Sequence, residues 1–93
     1  MRESVIEAHL VQRAKQLGGD ARKVQWLGRR GAPDRLVMLP AQGRALPRTI
    51  WVELKAPGEK AKPHQSREHA RMQALGQTVV VIDSIECVEG LLA

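Results

Sequence analysis

The chain contains no phenylalanine and no tyrosine, and Trp26 and Trp51 are its only aromatics. A core must therefore be built from Val, Ile, Leu, Met and Ala, and an apolar content of 43% is enough for one. The single cysteine, Cys87, excludes an intrachain disulfide and has no metal-ligand spacing around it, which fits a reducing compartment. No apolar stretch approaches the roughly 18 residues of a membrane span, and no signal-type segment opens the chain. A soluble, intracellular protein is expected. Residues 78–93 lack any base, so all 15 Lys and Arg lie before them, against a net charge of +5 and a pI of 10.2. That concentration of positive charge suits either a phosphate backbone or a solvated surface. At 93 residues one domain, 1–93, is expected, and its small core makes a homodimer the expected oligomer.

Helical periodicity over residues 3–17 places Ile6, Leu10, Ala14 and Leu17 on one face, stopped by Gly18-Gly19. Glu3 and Glu7 lie one turn apart. Glu7 borders the apolar stripe, and is either a partly buried carboxylate or a solvated one favoured by the helix dipole. Residues 21–27 form a weakly patterned strand, followed by the Gly- and Pro-punctuated loop Gly28-Arg29-Arg30-Gly31-Ala32-Pro33. Residues 34–39 read as a strand whose continuous apolar run predicts burial on both faces, ended by Pro40. Residues 49–55, between Pro47 and Pro57, are the best strand in the chain, and form an antiparallel hairpin with 34–39. Pro63 opens a helix running to Leu75, with Gln65, His69, Met72 and Leu75 or Gly76 on one face. A parallel strand at 78–82 and a helix at 85–92, capped by Asp83-Ser84, complete the order α-β-β-β-α-β-α. The fold class is α/β, a mixed sheet flanked by helices.

Asp34 begins one strand of this hairpin, and Glu53 and Lys55 share a face near the end of the other. A carboxylate among Ile50, Val52 and Leu54 needs a partner. With Asp34 opposite Glu53, Asp34, Leu36 and Met38 share a face with Glu53, Trp51 and Thr49, whereas a one-residue slip separates the carboxylates. In that register the two acids and a backbone carbonyl can hold Mg²⁺ against a phosphate, with Lys55 beside the attacking water. The plainer alternative is a buried Glu53–Lys55 pair beside a turn aspartate. His9, His64 and His69 have no ligand-like arrangement with the acids, although His64 adjoins Gln65. Trp51 either stacks on a base or belongs to the core or an interface.

Three phrases resemble the VRR-NUC family, a branch of the PD-(D/E)XK nuclease superfamily with a restriction-endonuclease-like sheet. They are Arg30-Gly31-Ala32-Pro33-Asp34-Arg35-Leu36-Val37, then Trp51-Val52-Glu53-Leu54-Lys55-Ala56-Pro57-Gly58, then Lys62-Pro63-His64-Gln65. Ala32 stands where the family often has a β-branched residue, a departure that touches no chemistry. The resemblance implies Mg²⁺-dependent DNA cleavage, with Mn²⁺ able to substitute. It implies Asp34, Glu53 and the Leu54 carbonyl as metal ligands, Lys55 as catalytic lysine and Gln65 as a supporting hydrogen-bonding residue. Glu7 best matches the first-helix acid, with Glu3 the alternative. Compact stand-alone members resemble phage and bacterial proteins, which implies a cytoplasmic homodimer cutting branched DNA such as Holliday junctions. Flaps, nicked or linear duplex are alternative substrates, and a basic DNA-binding module that does not cut is the alternative of another class. Arg29, Arg30, Arg35, Lys60, Lys62 and Arg67 are the expected phosphate contacts.

Overall fold

A computed structural model describes residues 1–93. The elements are α1 (Glu3–Gln16), β1 (Asp20–Lys23), β2 (Arg35–Leu39), β3 (Arg48–Leu54), α2 (Pro63–Ala74), β4 (Val79–Ile82) and α3 (Ile85–Leu92), in the expected order. The four strands lie in sequence order in one sheet. The β1–β2 and β2–β3 pairs are antiparallel, and α2 carries the chain over to a parallel β4.

Period-two alternation puts Val37, Leu39, Ile50, Val52, Leu54 and Ile82 on one face of the sheet. There they meet Ile6, Leu10 and Ala14 of α1 and Val88 and Leu92 of α3, forming one aliphatic core. α2 lies on the opposite face and buries Met72 together with two polar residues, Glu68 and His69. One helix cannot cover that whole face, so Leu36 and Met38 are only half-buried. The expected burial of 34–39 on both faces is thus corrected to an alternating pattern. On the helix face expected to carry Gln65, His69, Met72 and Leu75 or Gly76, His69 and Met72 are buried and Leu75 is 80% exposed.

Two boundaries differ from expectation for local reasons. α1 ends at Gln16 because Gly18 takes a positive φ and its N–H bonds the Lys15 carbonyl. β1 stops at Lys23, short of the expected 27. Val24 still donates to the Asp34 carbonyl at 2.9 Å, but Trp26 then turns its indole N–H onto the Pro33 carbonyl at 2.8 Å. Residues 24–34 consequently form a loop closed at its base by those two bonds. At the far end, Ser84 caps α3 as expected, accepting from the Cys87 N–H at 3.0 Å.

Candidate active site

The β2–β3 register pairs Arg35 with Val52 and Leu36 with Trp51, so one further step sets Asp34 opposite Glu53. Both acids therefore lie at the same end of the hairpin and on the α2 face. Glu53 is buried, and the two carboxylates feel each other. Its pKa is pushed up to about 7, first by loss of hydration and next by the charge of Asp34, against a smaller opposing pull from Lys55. Asp34 Oδ1 and Glu53 Oε1 are both buried without a hydrogen-bond partner in the protein. Such atoms are costly unless something else satisfies them.

Gly31 explains how the loop before Asp34 meets the start of α2. Its φ is +86°, and a Cβ there would stand 2.8 Å from the His64 carbonyl oxygen. Only glycine permits that approach, so the first and third sequence phrases touch through this residue. Gln65 acts at the same junction, its Oε1 accepting from the Lys62 N–H at 2.8 Å and capping α2. One turn further on, His69 turns inward. Its Nε2 lies 3.4 Å from Glu53 Oε1 and makes no hydrogen bond. Burial pulls the His69 pKa down, with Glu68 acting in the opposite direction. Sequence reasoning gave His69 no role, although its spacing of four from Gln65 already set it on the same helical face.

The basic candidates separate into groups. His64 has its pKa lowered by loss of hydration and then by the charges of Arg30, Lys62, Arg67 and Lys55. Lys60 is exposed in the loop before α2. Arg29 lies 3.6 Å from the buried Glu68, which also binds Arg71 at 2.8 Å, so Arg29 ties the loop to α2. Arg35 is a correction. It alternates with Asp34 and so points to the α1 face, where it is buried, bonds Glu7 and donates to the Asp34 carbonyl at 3.0 Å. It is not available to a phosphate. Glu7 is engaged there in turn, and the α1 carboxylate whose charge reaches Glu53 is Glu3.

No three His, Cys, Asp or Glu side chains converge into a ready-made metal cage. Two facing carboxylates with unsatisfied buried oxygens nevertheless fit a hard divalent cation that keeps several waters. Asp34 and Glu53 would hold it, with the Leu54 carbonyl at the strand end as a further oxygen donor. The chain's one cavity, about 330 Å³ and lined by Leu17, Leu39 and Leu92 among others, lies at the opposite end of the β2–β3 hairpin. At the acid end Asp34 is partly exposed while Glu53 is buried, and no enclosed small-molecule cavity lies there.

The mixed sheet flanked by helices carries Asp34, Glu53 and Lys55 at one end of the β2–β3 hairpin. A solved structure described as "VRR_NUC domain" superposes with a TM-score of 0.80 and 38% identity, over 97% of this chain and 92% of that one. The curated protein "Putative nuclease p44" of Acyrthosiphon pisum secondary endosymbiont phage 1 is 55% identical over 84 residues, 90% of this chain and 85% of its own. The chain belongs to the VRR-NUC family. No family model matches it.

Proposed function

We propose that the protein is a Mg²⁺-dependent endodeoxyribonuclease, with Mn²⁺ able to substitute, that acts as a homodimer on branched DNA such as Holliday junctions. The observation that carries this reading is the facing pair of Asp34 and Glu53, each with a buried oxygen that accepts no hydrogen bond, the Glu53 one facing His69 Nε2 at 3.4 Å. The Asp34 charge helps to hold Glu53 protonated in the metal-free protein, and a cation shared by the two would relieve that repulsion. The nuclease relatives support the reaction class. The branched substrate and the dimer rest on the kinship with compact stand-alone nucleases. A two-fold pair of sites would serve the symmetric strands of a junction.

When bound, the metal would supply a polarised water and charge stabilisation on the phosphate. The chain's own residues do the rest. Asp34 and Glu53 fix where negative oxygen is presented on the sheet. Lys55 forms no ion pair with either acid, which leaves its ammonium free to neutralise charge growing on the scissile phosphate. Gln65 and Gly31 hold the start of α2 against the Asp34 loop, keeping the acids in register with the basic cluster around His64.

The test is cleavage of four-way junctions, flaps, nicked duplex and linear duplex with Mg²⁺ or Mn²⁺. Asp34→Ala and Lys55→Ala should each lower the rate by about two to three orders of magnitude. Mn²⁺ binding, read by calorimetry without DNA, should be lost in Asp34→Ala and kept in Lys55→Ala. Cleavage that survives both substitutions rejects the site. DNA binding without cutting under either metal turns the protein into a binding module.

A further inference from the structure

Leu27 is 95% exposed, the most exposed large apolar side chain of the molecule, and it lies in the loop that leads into Asp34. It sits in the 24–34 loop, with the half-stacked Trp26 on one side and Arg29 and Arg30 on the other. The loop is not a loose excursion. Val24 donates to the carbonyl of Asp34 itself, and Trp26 donates to the carbonyl of Pro33 just before it. The Trp26 ring packs on Trp51 at 5.2 Å between centroids, tilted by 45°, and Trp51 lies two residues before Glu53 on the same face. Both indole N–H groups are engaged, Trp51 donating to Gln77 Oε1 at 3.1 Å, while Trp26 remains 36% exposed. A stem anchored at Pro33 and Asp34 thus presents an aliphatic tip and part of an aromatic ring to solvent.

An exposed leucine followed closely by two arginines does not suit an apolar protein groove. It suits a nucleic acid, where Arg30 meets a phosphate and the aliphatic group enters between bases, while Arg29 ties the loop to Glu68. We propose that Leu27 is a wedge which enters a base step next to the cleaved phosphate, with the exposed part of Trp26 receiving the face of the freed base. This rests on the nuclease reading and deepens it. A single leucine opens a continuous stack poorly, so DNA whose stacking is already interrupted at a branch becomes the preferred substrate. Because the stem's hydrogen bonds end on Pro33 and Asp34, a tip that is seated in DNA also places the metal-binding carboxylate.

The wedge is tested with a fluorescent adenine analogue placed beside the branch of a four-way junction, and at the same sequence position in a linear duplex. Binding is measured at saturating protein in the Lys55→Ala background, so that the DNA stays intact. Unstacking should raise the junction signal about threefold or more, and the added Leu27→Ser substitution should abolish the rise while Leu27→Met retains it. In otherwise unchanged protein, Leu27→Ser should reduce the preference for junction over duplex about fivefold. An equal rise with and without Leu27→Ser, or no rise in either, overturns the wedge while cleavage by the unsubstituted protein keeps the nuclease reading intact. Failure of the unsubstituted protein to cut any DNA with Mg²⁺ or Mn²⁺ removes both.

Discussion

Glu53 stands among core residues of β3 with a carboxylate opposite it and a half-engaged histidine beside it. Its raised pKa, about 7 against an ordinary 4.5, means that the folded protein holds a proton there that the unfolded chain releases. Without metal, the contribution of Glu53 to stability is therefore full below about pH 4.5 and is lost as pH rises through about 7, a loss of about 3 kcal/mol. His69, shifted down by burial, works in the opposite sense, adding stability as pH rises through its own range. Urea denaturation of the metal-free protein and of Glu53→Gln, compared across pH 4 to 8, isolates the Glu53 part. The difference between them should grow with pH, and saturating Mg²⁺ should shrink it. Arg35 gives a second check at this scale. It is buried, while its partner Glu7 is 41% exposed on its side chain and can rehydrate. Arg35→Ala should destabilise the protein by about 1–3 kcal/mol, less than for a pair buried on both sides.

Between elements, the loop before β2 and the start of α2 form a close junction, and Gly31 is where it is tested. Gly31→Ala forces a positive φ on a side chain and a clash with the His64 carbonyl. The cost should be about 2–3 kcal/mol, and cleavage should fall as the Asp34 loop shifts. Gly28→Ala is the control, since φ there is +69° but a Cβ meets open space, so only about 1 kcal/mol is expected. Thermal melts of the two variants separate strain from collision. The hairpin that carries the acids was legible in the sequence because Pro40, Pro47 and Pro57 bracket its strands and period two leaves one register in which Asp34 meets Glu53. The same alternation sends Arg35 to the other face, a consequence available in the sequence but overridden there by its place in a basic phrase. The partner of Glu7 follows from that reversal. The inward turn of His69 and the bond from Trp26 to Pro33 depend on contacts between distant segments, and no local pattern encodes them.

Across the whole molecule, charge is distributed unevenly about the sheet. Arg30, Lys62 and Arg67 gather around His64 beside the acids, with Lys60 in the adjoining loop. Arg44 lies in the turn at the other end of the β2–β3 hairpin, Arg48 begins β3 there, and Arg35 is inside. Arg30, Lys60, Lys62 and Arg67 belong to the segments that adjoin Asp34 and the start of α2, so these four are expected to release counterions when DNA is bound. Four phosphate contacts predict that log affinity falls against log salt with a slope of about −3.6 on duplex DNA. A homodimer that engages both sites should approach twice that value, which makes the slope a readout of assembly as well as of surface. Arg30→Ala and Arg67→Ala should each reduce its magnitude by about 1, weakening binding without regard to sequence. Arg44→Ala should leave it unchanged, because that charge stands at the wrong end of the sheet. Binding isotherms of the Lys55→Ala protein on a four-way junction, measured over a range of NaCl, would decide it. A slope that responds equally to Arg30 and to Arg44 would mean that DNA is held by the molecule's general positive charge rather than by the face that carries Asp34 and Glu53.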